Sequence, residues 1–313
     1  MSILITGGTG FFGRAILRMW KEKSKRIDDV FVLTRSPESF LNEYPEFDGL
    51  PWLKFHCGDI CIRSTLPNHI EFSGVIHAAA DATLGPQLTS RDCYKQIVDG
   101  TQNILDLAVN CNSKKLLYIS SGAVYGVQPE SLEKTPENWE TVDSVTTYGA
   151  AKIAAENLCG QYRTLYGLHT VIARCFSFVG QDMTFGAHFA IGNFIRDALN
   201  RDCILVNSDG SSIRSYLEQD DLVHWLLTIF ENGQSGQVYN VGSDQAISIK
   251  DLAYLVRDIL SPNKDVHILG GNGRTRYIPD INKARNELAL DVTLDVEKAI
   301  KKVARVVMER YPH

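Results

Sequence analysis

No run of apolar residues approaches the roughly 18 that a membrane-spanning helix requires. The first apolar stretch, residues 2–6, is short and strand-like, has no basic leader and runs into glycines, so it reads as neither a secretory nor a transit peptide. Cysteine is sparse: Cys57, Cys61, Cys93, Cys111, Cys159, Cys175 and Cys203 make an odd set with no Cys-x-x-Cys and no metal-ligand spacing. A disulfide scaffold and a metal centre are therefore set aside, and reduced thiols in a cytoplasmic protein are expected. There is no Lys/Arg cluster, no block of one charge, no internal repeat and no low-complexity tract. The 32 basic residues against 37 acidic ones leave a net charge of −5, which does not suit a nucleic-acid binder. Neither a nucleic-acid nor a membrane partner is expected. What is present, 313 residues with 44% hydrophobic and 22% charged, fits a globular chain with one large core or two unequal domains.

The first half alternates short apolar runs with longer segments of helical period. Strands are expected at 3–6, 30–35, 54–59, 74–79, 115–121 and 169–176, rich in Val, Ile and Leu without alternation, as in a parallel sheet covered on both faces. Helices are expected at 10–23, 94–110 and 147–166. Beyond residue 176 the rhythm loosens, with turn-rich stretches at 207–212 and 262–273, helices at 249–260 and 294–308, and a run at 238–242 that could return to the first sheet. This order predicts a nucleotide-binding domain over 1–176, with a returning strand near 237–243, and a substrate-binding part over 177–313.

The sharpest early signal is Thr6-Gly7-Gly8-Thr9-Gly10-Phe11-Phe12-Gly13, directly after the first strand. A tight strand-to-helix turn needs residues without Cβ, and the following helix offers free N–H groups and its positive dipole end to a pyrophosphate. The end of the second strand should carry the residue that reads the ribose. Here it reads Leu33-Thr34-Arg35-Ser36, with no Asp or Glu. A carboxylate would repel a 2′-phosphate, whereas Arg35 and Ser36 would attract one, so NADP(H) is favoured with NAD(H) as the alternative. The competing reading makes Arg35 a surface charge. Asp59, followed by Ile60, could accept from an adenine amino group or cap a helix.

Tyr148-Gly149-Ala150-Ala151-Lys152 places a Tyr and a Lys one turn apart on one helix face. Such a pair is not rare by composition alone; its position after Tyr118-Ile119-Ser120-Ser121-Gly122-Ala123-Val124-Tyr125-Gly126 is what gives it weight. With the Gly7-x-x-Gly10-x-x-Gly13 loop, this order resembles the extended short-chain dehydrogenases/reductases, and among them the nucleotide-sugar epimerases, dehydratases and reductases. The resemblance runs along the whole chain. His77-Ala78-Ala79-Ala80 is similar to the end of the family's fourth strand, Arg174-Cys175-Phe176-Ser177-Phe178-Val179-Gly180 to the segment where strand six opens into the substrate site, and Arg214 to Val223 to the family's Arg-Asp-Phe/Tyr-x-x-Val-Asp-Asp-x-Val stretch.

The resemblance implies a Rossmann-type α/β fold, a doubly wound parallel sheet with a smaller mixed α/β C-terminal substrate domain. It implies Tyr148 as the acid/base, Lys152 as the residue that lowers the phenol pKa and holds the nicotinamide ribose, and Ser121, or Ser120 one register away, on the reacting oxygen. Gly7, Thr9, Gly10, Phe11, Phe12, Gly13, Arg35, Ser36, Asp59, Ile60, Ala78, Ala79, Ala80 and Phe176 would line the cofactor. Ser177, His188, Asn193, Arg214 and Arg276 would meet the substrate, although His188 and the arginines could equally be packing or surface groups. Family dehydratases carry an Asp-Glu pair before Val-Tyr-Gly; here those places are Gly122 and Ala123, so the 4,6-dehydratase branch is rejected. Ile97 stands where relatives carry the Asn of Asn-Val-x-Gly-Thr, so an internal polar contact is lost or moved. The expected function is NADPH-dependent reduction of the 4-keto group of a nucleotide-linked 6-deoxy-4-ketohexose. The alternatives are a nucleotide-sugar C4 epimerase and a redox-inert NADP-binding regulator. A homodimer joined through the helices at 94–110 and 147–166 is expected as well, since Ile153, Leu158, Tyr162 and Leu165 leave apolar surface on the second of them beyond its catalytic face.

Overall fold

The computed structural model describes residues 2–22, 29–80, 88–140, 146–183, 189–271 and 275–310. Strands β1 (Ser2–Thr6), β2 (Asp29–Thr34), β3 (Leu53–Cys57), β4 (Gly74–His77), β5 (Lys115–Ser121) and β6 (His169–Cys175) follow the expected runs to within a residue or two at each end. The third strand stops before the expected residue 59 because Gly58 and Asp59 already turn: the Asp59 carboxylate accepts from Cys61 N at 2.8 Å. Short strands β7 (Phe178–Val179), β8 (Cys203–Val206), β9 (Ile213–Arg214) and β10 (Leu217–Glu218) come next. They are followed by β11 (Val238–Val241), β12 (Ile247–Ser248), β13 (Asp265–Ile268) and β14 (Arg276–Tyr277).

The main sheet is parallel and runs β3-β2-β1-β4-β5-β6-β11. The strand after residue 237 thus does return to it. The order reverses between β1 and β4, and in open α/β sheets ligands settle outside the strand C-termini at such a switch point. The helices are α1 (Phe11–Glu22), α2 (Pro37–Glu43), α3 (Ser90–Asn110), α4 (Thr147–Tyr166), α5 (Ala190–Asn200), α6 (Gln219–Asn232), α7 (Ile249–Leu260), α8 (Asn282–Leu288) and α9 (Val296–Arg310). Neither α2 nor α8, each of seven residues, was legible as a periodic stripe, and α6 starts inside the Arg214–Val223 motif.

The chain forms two compact units. One comprises Met1–Val124, Val145–Arg174 and Leu226–Tyr239, the other Tyr125–Ser144, Cys175–Trp225 and Asn240–His313. The division expected at 176 placed residues 125–144 with the first domain. They group with the second because Thr135 is threaded into its backbone: Thr135 N donates to Ile278 O at 2.8 Å and Thr135 O accepts from Asp280 N at 2.9 Å.

In the first unit α4 sets its own limits. Thr146 caps it, its hydroxyl accepting from Gly149 N, and Gly167 ends it in the left-handed region at φ 69°. Its inner face, Ala151, Ala155, Cys159 and Tyr162, packs with Ile104, Leu105 and Ala108 of α3 over Leu116 and Tyr118 of β5. Each large apolar side chain buried there contributes about 1.5–3 kcal/mol. In the second unit Ile191, Phe194 and Ile195 of α5 and Leu252 and Val256 of α7 are buried likewise.

Candidate active site

The glycine turn joins β1 to α1, and its glycines are there for different reasons. Gly7 has φ 72°, and a Cβ on it would lie 2.6 Å from the Ala78 carbonyl carbon; a Cβ on Gly13 would lie 2.2 Å from Gly8 Cα. Packing within the protein thus demands those glycines. Gly10 differs: it is exposed, and a Cβ there would meet nothing nearer than Gly7 O at 3.4 Å. The space it leaves opens at the N-terminus of α1, whose first turn carries no acidic residue. Such a cradle fits the diphosphate of a dinucleotide. Thr9, Phe11 and Phe12 complete the turn, and the half-buried Ala78, Ala79 and Ala80 follow β4 on the other side of the switch point.

At the end of β2, Arg35 and Ser36 are both exposed. Ser36 occupies the N-cap position of α2 yet its hydroxyl makes no capping bond, and among the described residues no carboxylate pairs with Arg35. Two expected cofactor residues are placed otherwise. The Asp59 carboxylate closes its own turn on Cys61 N, and the Ile60 side chain is buried in the core, where a Cβ on Gly100 would strike it at 2.6 Å.

Because α4 begins at Thr147, Tyr148 lies in its first turn, with Lys152 and Glu156 one and two turns on along the same face. Lys152 is 3% exposed. Its ammonium donates to Ile119 O at 2.8 Å and lies 4.8 Å from the ring centre of Tyr118 and 5.8 Å from that of Tyr148. Strand alternation separates the two serines. Ser120 is buried and donates to Glu156 Oε1 at 2.5 Å, whereas Ser121 is half-buried and accepts only a local bond from Ala123 N at 3.2 Å. Glu156 is held in turn by Arg174, through Nε at 3.0 Å and NH2 at 2.7 Å. Ser120 is therefore committed, and Ser121 is the serine left at the strand end.

His77 lies just behind this group. Thr6 Oγ1 is 2.6 Å from its Nδ1 and Thr101 Oγ1 is 3.1 Å from its Nε2. Burial, then the nearby Lys152 charge, pushes its pKa from the ordinary 6.5 down to about 3, so the imidazole is neutral. This network was not foreseen; the sequence marked only the strand end.

In the second unit Arg214 is half-buried, its guanidinium donating to Ile213 O, Thr275 O and Thr275 Oγ1. Burial lowers its pKa without removing its charge. β14 pairs in parallel with β9, matching Tyr277 with Arg214 and Arg276 with Ile213. Paired residues share a face, so Arg276 lies on the face opposite Arg214 and donates to Glu133 O at 3.1 Å. The two arginines are not brought together. Tyr277, missed from sequence, stands beside Arg214 instead, its ring 4.6 Å from that of Phe176. Ser177 is half-buried, Asn193 lies in the first turns of α5, and His188 falls outside the described residues.

The neutral His77 has a measurable consequence. An unfolded chain takes up a proton at this group as pH falls below 6.5, while the folded one does not until about 3. Stability from this group is therefore lost on acidification across that window, by about 1.4 kcal/mol per pH unit. Urea denaturation at pH 7 and pH 5 should show a smaller loss in His77→Gln than in the native chain. Equal losses would mean that the folded imidazole is protonated.

A family model described as the NAD dependent epimerase/dehydratase family matches residues 3–242. The chain is 29% identical to a probable dTDP-glucose 4,6-dehydratase of Sinorhizobium fredii, over 99% of this chain and 93% of that protein. It is 27% identical to UDP-glucuronic acid decarboxylase 6 of Arabidopsis thaliana, over 96% and 87% respectively. Its fold is similar to that of a UDP-glucose 4-epimerase from Thermotoga maritima in complex with UDP-glucose, with TM-score 0.86, 22% identity and 99% of each chain covered. The dTDP-glucose 4,6-dehydratase DesIV from Streptomyces venezuelae, with NAD bound, gives the same TM-score and identity over 99% of this chain and 97% of that one. A glycine turn at the switch point and a Tyr-x-x-x-Lys helix beside the β5 serines accompany that match, and the chain belongs to the NAD-dependent epimerase/dehydratase family of extended short-chain dehydrogenase/reductase enzymes.

Proposed function

We propose that this enzyme uses NADPH to reduce the 4-keto group of a nucleotide-linked 6-deoxy-4-ketohexose. The observation that carries the reading is the end of β5. Ser121 leads into Gly122 and Ala123, so the hydride-transfer residues are kept while the places of the dehydratase Asp and Glu hold no carboxylate. Removing water across C5 and C6 of a sugar needs an acid and a base there; reducing a ketone needs only one proton donor. When bound, the nicotinamide cofactor supplies the hydride at the sugar carbon. Tyr148 gives its phenolic proton to the carbonyl oxygen, and Ser121 hydrogen-bonds the same oxygen. Lys152, one turn along α4, favours the phenolate left behind and holds the nicotinamide ribose. The turn around Gly10 and the N-terminus of α1 hold the diphosphate, while Arg35 and Ser36 meet the 2′-phosphate. Arg214, beside Tyr277, offers a planar fork to the diphosphate of the sugar nucleotide.

A C4 epimerase is the second reading, supported by the fold shared with the Thermotoga UDP-glucose 4-epimerase and with a Bacillus cereus UDP-glucuronic acid 4-epimerase in complex with NAD. It uses the same side chains but returns the hydride, so the cofactor is not consumed. Incubation with NADPH and a panel of CDP-, dTDP-, GDP- and UDP-linked 4-keto sugars, run beside the corresponding 4-hydroxy sugars, separates the two. Stoichiometric oxidation of NADPH supports the reductase, and interconversion of 4-hydroxy sugars without net oxidation supports the epimerase.

We further propose a homodimer in which α3 and α4 of two protomers form a four-helix bundle. Tyr162, which the sequence suggested as free apolar surface, is instead buried and donates to Asp106 Oδ1 at 2.5 Å within the chain. The exposed apolar groups on these helices are Tyr94, at the start of α3, and Leu165 and Tyr166, at the end of α4. They are the side chains through which such a bundle would gain apolar burial.

Three outcomes are expected. Titration calorimetry should show tighter binding of NADP(H) than NAD(H), and Arg35→Asp should erase or reverse that preference. Tyr148→Phe should lower turnover by about 10²–10⁴-fold while cofactor affinity is kept; more than a tenth of native activity would remove the acid/base role. Light scattering should give twice the 34.9 kDa of one chain, falling to the single mass in a Leu165→Glu/Tyr166→Glu variant. A native monomer would exclude the bundle.

A further inference from the structure

Three consecutive residues at the end of β5 meet one stripe of α4. Ile119 gives its carbonyl to Lys152 at 2.8 Å and Ser120 its hydroxyl to Glu156 at 2.5 Å, while Ser121 is left for the site that Tyr148 adjoins. Glu156 thereby decides which serine faces the reaction. A carboxylate is an awkward group for that task. It is 8% exposed, one turn from Lys152 and two from Tyr148, about 12 Å along the helix axis. An uncompensated negative charge there opposes the Lys152 ammonium and makes the Tyr148 phenolate harder to form. Arg174 on β6 meets both carboxylate oxygens, Nε at 3.0 and 3.2 Å and NH2 at 2.7 Å.

We infer that Glu156 and Arg174 form a charge-compensated clamp of positioning residues: Glu156 pins Ser120 so that Ser121 is presented, and Arg174 cancels the Glu156 charge so that it does not oppose Lys152 at Tyr148. This rests on the assignment of Tyr148 as the acid/base. The other titratable groups around the stripe carry no charge near neutral pH. Burial lowers His77 on β4 and raises Cys93 on α3, Tyr118 on β5 and Cys159 on α4. Among the described residues the charged members are Lys152, Glu156 and Arg174.

The ionisation of Tyr148 reads this directly, without a substrate. Tyrosinate absorbance is titrated in the NADP⁺-loaded protein, and the same titration of Tyr148→Phe is subtracted. Glu156→Gln leaves the Arg174 charge unopposed and should lower the Tyr148 midpoint by about half to one pH unit; Arg174→Gln leaves the carboxylate unopposed and should raise it by a similar amount. The double variant should return close to the native value, and Arg174→Lys, which keeps the charge, should barely move it. A pair that only held the fold would shift both single variants in the same direction or in neither. If Arg174→Gln does not fold, Glu156→Gln and the double variant decide, because compensation demands that the second substitution reverse the first. Midpoints indifferent to the sign of the residual charge overturn the clamp. A subtraction that shows no tyrosine titrating below about 10 fails the Tyr148 assignment itself.

Discussion

A lysine ammonium taken out of water must be met on every side, or its desolvation outweighs what it contributes. Lys152 is 3% exposed, and much of the first unit is arranged to make that tolerable. The Ile119 carbonyl accepts a hydrogen bond from it, and the faces of Tyr118 and Tyr148 lie against it. Two of its titratable neighbours stay neutral: His77 because it is buried, Cys159 because burial raises its thiol. Holding the ammonium on β5 sets the height of α4 over the strand. That height sets where Tyr148 sits, one turn earlier. The position of Tyr148 thus follows from how one cation is kept inside.

Five of the longer helices were legible from sequence because period is a local property, whereas α5 and α6, of 11 and 14 residues, were not expected. The 20-residue α4 was expected over 147–166 and is found there, because Thr146 and Gly167 mark its ends in the sequence itself. The glycine turn was legible too, since its steric demand is written in the missing side chains. What escaped depends on partners far along the chain. The relation between Arg214 and Arg276 follows from the pairing of two strands of two residues each, and no periodicity can be read from so short a run. Tyr162 looked like free apolar surface because its partner, Asp106, lies on another helix. Ser120 and Ser121 could not be separated until Glu156 and Arg174 claimed the first of them.

Membership of the family leaves several chemistries open, for the relatives are named as dehydratases, decarboxylases and epimerases while sharing one fold. Carboxyl groups at residues 122 and 123 would add proton transfer at a neighbouring carbon, and an acidic group at the end of β2 would turn away a 2′-phosphate. Neither requires the sheet to change. Overall similarity is therefore a poor guide to the branch, and the residues at the strand ends are a good one.

The return of β11 to the main sheet carries a cost in time. β6 is apolar along Val171, Ile172 and Ala173, and on the side away from β5 it pairs with Val238–Val241. A nascent chain leaving the ribosome at about 5–20 residues per second exposes that edge for several seconds before its partner strand has been made. An unpaired apolar strand invites pairing with other chains. Slowed translation between these segments would lengthen that interval, so soluble yield should depend on the pace of synthesis as well as on the stability of the finished fold.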